Sequence, residues 1–215
     1  MRPIVSIVGK SKSGKTTLLE CLSTELKRKG YEVAIIKHAA EDFELDKVGK
    51  DSWRLSQTSG IAAVSSPHKL VIFRRMERDL SPQELSRFIG GGYDLILTEG
   101  FKQGNTPKIE VHRKEQGSEL LSSLKQLLAV VTDEPLDVDV PQFSRDEIQK
   151  VADLIESRLL AQRKGEEVDL FVNDTHIPIN LFVKDLLARI LVAIVSGLKG
   201  VKEIRSLHVS LRRKA

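Results

Sequence analysis

Solid apolar runs alternate with stretches in which apolar residues recur every three or four positions, the pattern of strands buried on both faces alternating with helices that cover them. Ile4-Val5-Ser6-Ile7-Val8 is the first run. Leu18, Leu19, Leu22 and Leu26 then form a helical stripe, closed by Gly30 after Lys27-Arg28-Lys29. Tyr31 to Lys37 reads as a second buried strand, completing a strand-helix-strand unit with a right-handed crossover. Asp51-Ser52 caps a short helix carrying Trp53 and Leu55 that stops at Gly60. Ile61 to Val64 and Leu70 to Phe73 are short strands about the turn Ser65-Ser66-Pro67-His68. Ser81-Pro82-Gln83-Glu84 opens a helix that ends at Gly90-Gly91-Gly92, a stop and linker because no helix follows it.

Three more strands are expected at Tyr93 to Gly100, Lys108 to Val111 and Leu127 to Thr132. The middle one alternates in polarity and is expected to be half exposed. Ser144 with Glu147 spells a capping box, opening a helix whose inner face is Ile148, Val151, Ala152, Ile155 and Leu159. The fold class is therefore α/β, a mostly parallel sheet with helices on both faces. Arg163-Lys164-Gly165-Glu166-Glu167 breaks the pattern and separates a domain over residues 1–163 from a small α+β module over 166–215. That module reads as a hairpin about Asn173-Asp174-Thr175-His176, a helix over 180–198 and a last strand from Val201 to Leu211. Its helix is apolar on nearly every side, so it is expected to pack on the first domain or on a partner subunit. Arg212-Arg213-Lys214 reads as a solvated tail.

Composition narrows the classes. At 215 residues, with 40% hydrophobic and 30% charged residues, the chain has an ordinary soluble balance. Its net charge of +4 is spread among acids, which points to anionic small molecules and away from nucleic acid. Cys21 is the sole cysteine, so an intramolecular disulfide and a Cys-x-x-Cys site are excluded; inside a helix it is expected to be buried. Met1-Arg2-Pro3 leads directly into the first strand, and the longest apolar stretch, Ile190 to Leu198, falls short of the about 20 residues a bilayer needs. A cytoplasmic protein without a membrane partner is expected.

Between the first strand and helix stands Gly9-Lys10-Ser11-Lys12-Ser13-Gly14-Lys15-Thr16-Thr17, which fits G-x-x-x-x-G-K-[ST], the phosphate loop of nucleotide triphosphatases. Successive amides there close round a phosphate at a helix N-terminus, Lys15 lies against the β- and γ-phosphates, and the Thr16 hydroxyl is a Mg2+ ligand. Lys10 is an ordinary phosphate-proximal charge. Glu99 ends an apolar strand, where a Walker B carboxylate belongs, and is the second candidate metal ligand. Asp46, in the acidic loop from His38 to Lys50, is a third, although solvated acids are the commoner reading of such a loop. His38 is either a structural hydrogen-bonding residue or a functional one. Asp133, after a late strand, is a candidate acceptor for the N1–H and N2–H₂ of guanine, against the alternative of a plain turn residue.

Four segments together resemble the molybdopterin-guanine dinucleotide biosynthesis protein B (MobB) family through about residue 160. They are the phosphate loop running into Thr17-Leu18-Leu19, Lys37-His38 with Phe43, Asp46 and Gly49-Lys50-Asp51-Ser52, Glu99-Gly100-Phe101-Lys102, and Pro107-Lys108-Ile109-Glu110-Val111. The resemblance implies a P-loop fold and a dimeric GTP-binding protein using GTP and Mg2+, with weak GTPase activity. It would assist the guanylyltransferase, MobA, that joins GMP to molybdopterin. Further histidines that usually follow Lys-His are replaced by Ala39-Ala40-Glu41, and the module after residue 165 lies outside the family's common core. Two rival readings remain, a P-loop small-molecule kinase and a nucleotide-gated docking module without catalysis. Nickel delivery is disfavoured by the lack of clustered Cys and His ligands.

Overall fold

The computed structural model describes residues 2–39, 43, 46–117, 119–161, 168–173, 175–204 and 207–211. The chain folds as β1 (Ile4–Gly9), α1 (Lys15–Arg28), β2 (Val33–Lys37), α2 (Asp51–Thr58), β3 (Ile61–Ser66), β4 (Lys69–Arg74), α3 (Pro82–Ile89), β5 (Leu95–Glu99), β6 (Lys108–Val111), β7 (Leu127–Val131), β8 (Gln142–Phe143) and α4 (Ile148–Ile155). A wider helical turn continues α4 over Glu156–Leu160. There follow β9 (Leu170–Val172), β10 (Thr175–Ile177) and α5 (Leu181–Ser196).

Six strands form one sheet in the order β2-β5-β1-β6-β7-β8, every neighbouring pair parallel. The carboxyl ends of all six therefore share one edge, where α/β ligands gather. Central β1 is buried along its whole length, as its unbroken apolar run requires. On one face Val5, Ile7, Leu95, Leu97, Ile109, Val111, Ala129 and Val131 pack against Leu18, Leu19, Leu22 and Leu26 of α1 and Val151, Ala152 and Ile155 of α4. On the other, Ile4, Ile36, Ile96 and Phe101 meet Leu85 of α3 and Tyr93. Tyr31 precedes β2 rather than beginning it, and its hydroxyl donates to Glu156 beyond α4 at 2.9 Å.

The alternating strand expected to be half exposed is instead fully buried. Lys108 and Glu110 are 1% and 2% exposed because β6 lies between β1 and β7 in mid-sheet. Polar side chains survive there because they find partners: Lys108 Nζ donates to Gln126, and Glu110 accepts from the amides of Leu121 and Ser122 at 2.7 and 2.9 Å. Strand β8 had no apolar run to announce it. Cys21 is exposed, contrary to expectation, because it points off the stripe that α1 turns to the core. The box at Ser81 and Glu84 forms in full, whereas Glu147 itself occupies the N-cap of α4 and binds the Ser144 amide without a capping bond from the Ser144 hydroxyl.

The C-terminal region departs most. The hairpin and helix form, and among the described residues those of 201–211 carry no strand and β9 and β10 pair only with each other. Alternating polarity makes a strand only where an edge accepts it, and three-residue strands present almost none. Of α5 only Ala188 is buried; Leu181, Phe182 and Ile194 are 83%, 74% and 61% exposed. The hairpin touches α3, with Arg87 over the Phe171 ring, while the outer side of α5 lies bare. The expected boundary at residues 163–167 and the basic tail lie outside the described residues. Among the described residues no helix is long and apolar enough to cross a membrane.

Candidate functional site

The loop between β1 and α1 is shaped by three residues of positive φ: Gly9 at 148°, Lys12 at 60° and Gly14 at 98°. A Cβ on Gly9 would stand 2.5 Å from the Val111 carbonyl and 2.7 Å from Ser13 Oγ, so no other residue fits against β6. Gly14 serves as N-cap of α1 and makes no side-chain cap bond, which leaves the first amides of the helix, from Lys15 onward, to an anion. Ser13 Oγ is buried in the loop with no hydrogen-bond partner. Lys15 Nζ reaches back 2.7 Å to the Lys10 carbonyl; burial lowers its pKa, with Glu99 opposing the shift. Ser11, Lys12, Thr16 and Thr17 are exposed along the outer edge of the loop and helix start.

Parallel pairing of β1 with β5 in the register Ile7↔Glu99 carries the carboxylate to the mouth of this loop. Thr16 Oγ1 donates to Glu99 Oε2 at 2.9 Å, and Lys37 Nζ stands 3.5 Å from Glu99 Oε1. A hydroxyl and a single carboxylate, completed by phosphate oxygens and water, suit Mg2+, which is seldom held by an all-protein cage. Among the described residues no group of three or more His, Cys, Asp or Glu side chains is placed to hold a metal by itself.

Asp46 does not join that pair through any hydrogen bond. It accepts from the Lys47 amide at 2.9 Å, and the Ser52 hydroxyl, then that amide, hold its carboxyl below the usual range. It lines a different cavity, between α2 and β4. His38 pairs with Asp79 at 2.8 Å and its ring lies 4.6 Å from that of Phe101, which favours the structural reading of this residue. Asp133 stands on the carboxyl edge after β7; its Oδ1 accepts from the Lys114 amide at 3.0 Å, the main cause of its lowered pKa, and Oδ2 is 3.6 Å from Arg113.

Three residues not singled out from sequence close on the loop from behind. Arg113, 6% exposed, donates through Nε to the Ser13 carbonyl at 2.8 Å. Gln116 donates to the Ser11 carbonyl at 2.7 Å and accepts from Lys10 Nζ, which is therefore anchored within its own chain. Arg145 stands beside Gly14, its Nη2 2.7 Å from where a Cβ would lie. Arg113 follows β6, and the position of β6 beside β1 was the missing signal.

Residues 4–133 match the family model described as molybdopterin guanine dinucleotide synthesis protein B. The chain belongs to the MobB family. It is 38% identical over 159 residues to the molybdopterin-guanine dinucleotide biosynthesis adapter protein of Haemophilus influenzae, covering 73% of this chain and 89% of the relative. Its Escherichia coli counterpart is 34% identical over 161 residues, covering 72% and 92%. Among solved structures, molybdopterin-guanine biosynthesis protein B superposes with a TM-score of 0.54 at 32% identity, over 72% of this chain and 98% of that one. Bacillus subtilis MobB gives 0.60 at 28% identity, over 76% and 99%. The fold is thus that of MobB proteins, and the match to the family model ends at the Asp133 edge, before the hairpin and α5.

Proposed function

We propose that this chain is a GTP-binding adapter in molybdopterin guanine dinucleotide biosynthesis, acting in the cytoplasm as a homodimer beside the guanylyltransferase that attaches GMP to molybdopterin. The observation that carries the nucleotide reading is the 2.9 Å contact of Thr16 with Glu99 at the mouth of a glycine-shaped loop. The names of the relatives supply the pathway. In this reading the amides from Gly9 to Thr17 hold the triphosphate and Lys15 neutralises its charge. Thr16 and Glu99 hold Mg2+, which shields the charge between the β- and γ-phosphates. Asp133 accepts from the guanine edge. Hydrolysis is slow, since Glu99 is engaged by Thr16 and Arg113 is turned to the Ser13 carbonyl behind the loop; an arginine aimed at the transferring phosphate contributes about 10³ to 10⁵ in rate.

Calorimetric titration with GTP and ATP, with and without Mg2+, tests this on the wild type and on Asp133→Ala. Preference for GTP is expected, weakened in the variant. Equal affinity for the two nucleotides would remove the guanine assignment, and absence of binding would remove the nucleotide reading. Fast nucleotide-dependent phosphorylation of a metabolite would favour the kinase alternative.

A further inference from the structure

One row of apolar side chains on α5 stands in solvent. Phe182, Leu186, Ile190 and Ile194 are 74%, 44%, 46% and 61% exposed, and Leu198, just past the end of the helix, is 56% exposed. Residues four apart fall on one ridge of an α-helix, so the first four make a strip about 18 Å long at about 1.5 Å per residue, and Leu198 prolongs it. Ala188, the buried residue of α5, falls on the opposite side of the helix. The helix therefore packs through one side and offers the other.

Charge narrows what can cover the strip. The charged residues of α5 are Lys184, Asp185 and Arg189, and the last two are bonded to each other, Arg189 Nε standing 2.9 Å from Asp185 Oδ2 along one flank. The strip thus carries no charge to select an acidic or basic partner, and α5 lacks the row of basic residues that holds an amphipathic helix to anionic lipid. What it offers is shape and apolar area, and an identical strip answers both. A ridge of residues four apart fits the groove beside the same ridge on another helix, at a crossing angle near −50°, the commonest between packed helices. Weighted by their exposure, the five side chains offer about 500 Å² per copy, or about 1,000 Å² for a pair, which reaches the lower bound of a specific interface.

We propose that α5 pairs with α5 of a second copy of this chain, about a two-fold axis at Ile190, the middle of the strip. This names a surface for the homodimer and rests on that reading; nucleotide binding at Gly9 to Thr17 stands apart from it. An isologous contact sets the residue on the axis against its own copy. Phe182 lies about 12 Å along the helix from that point, where two crossing helices have diverged.

Cys21 is the sole cysteine, so Cys21→Ser in the full-length chain clears the background for single thiols. Treated with a short bis-maleimide, Ile190→Cys on that background is expected to give a covalent dimer and Phe182→Cys little. Equal yields from the two, or none from Ile190→Cys, overturn the proposal. Leu186→Glu combined with Ile194→Glu brings like charges together in the pair and is expected to weaken self-association at least about tenfold in sedimentation velocity. Both positions are exposed, so the far-UV spectrum and the affinity for GTP are expected to stay unchanged. A wild-type dimer that this double variant leaves as tight overturns the α5 surface and leaves the homodimer reading standing, whereas a wild type that stays monomeric throughout overturns both. Binding of the wild type to phosphatidylglycerol vesicles, lost in the double variant, would assign the strip to lipid and likewise overturns the proposal.

Discussion

At the scale of single residues, the candidate site joins a glycine that tolerates no side chain to a lysine that bonds a carbonyl of its own loop. A Cβ at Gly9 meets backbone, the Val111 carbonyl at 2.5 Å, so β1 and β6 would have to part. Gly9→Ala is therefore expected to cost several kcal/mol, about 3 or more for a strained and overpacked position, seen as a lowered denaturant midpoint. Among the described residues the Lys15 side chain bonds only the Lys10 carbonyl, and burial lowers its pKa. Lys15→Ala should leave the thermal midpoint nearly unchanged and remove at least about tenfold of triphosphate affinity, the worth of one charge-assisted contact. Thr16→Ala should keep nucleotide affinity without Mg2+ and lose the gain that Mg2+ brings, since it removes the hydroxyl that faces Glu99. The loop from Gly9 to Thr17 and the approach of Glu99 to Thr16 could be read from the sequence because strand, motif and helix are contiguous, and because a terminal acid on an apolar strand is carried to the sheet's carboxyl edge.

At the scale of elements, α3 and β6 show local and tertiary control in turn. The start of α3 is written in four residues: Ser81 Oγ accepts from the Glu84 amide at 3.2 Å, and Glu84 accepts from the Ser81 amide at 2.9 Å. Ser81→Ala should cost about 1 kcal/mol by chemical denaturation. Arg78, then Ser81, depress the Glu84 pKa to about 2 from its usual 4.5. A carboxyl lowered on folding stabilises the fold fully above its unfolded pKa and loses that contribution as pH falls through its folded pKa. Stability from this cap is thus present above about pH 4.5 and lost toward pH 2, and an acid titration of Arg78→Ala should show a shallower loss over that interval. For β6, alternation of Lys108, Ile109, Glu110 and Val111 pointed to a half-wet strand, yet the sheet order places it in the middle. Glu110→Ala would strand the amides of Leu121 and Ser122, at about 1 to 3 kcal/mol each.

At the scale of the whole molecule, the main buried cluster runs from Val5 to Leu160 and the second from Ile4 to Phe101. A chain ending at residue 161 is therefore expected to unfold cooperatively with an unchanged midpoint and to bind nucleotide as the full chain does. A lower midpoint would show that the hairpin at α3 contributes to the fold. The exposed apolar side chains of α5, Leu181, Phe182 and Ile194 among them, break the rule that helices hide their stripes.

Apolar runs, helical stripes and the glycine-lysine motif, all local features, determined the parallel α/β sheet, the glycine-shaped loop after β1 and the place of Glu99 beside it. Strand order, by contrast, is a global choice among edges, and no local pattern encodes it. Only the tertiary structure decided that β6 lies beside β1, which buries Lys108 and Glu110 and carries Arg113 to the back of the loop. It likewise placed Asp46 with Trp53 and Phe73 in a second cavity, because α2 and β4 meet there across a stretch of chain with no contiguous signature.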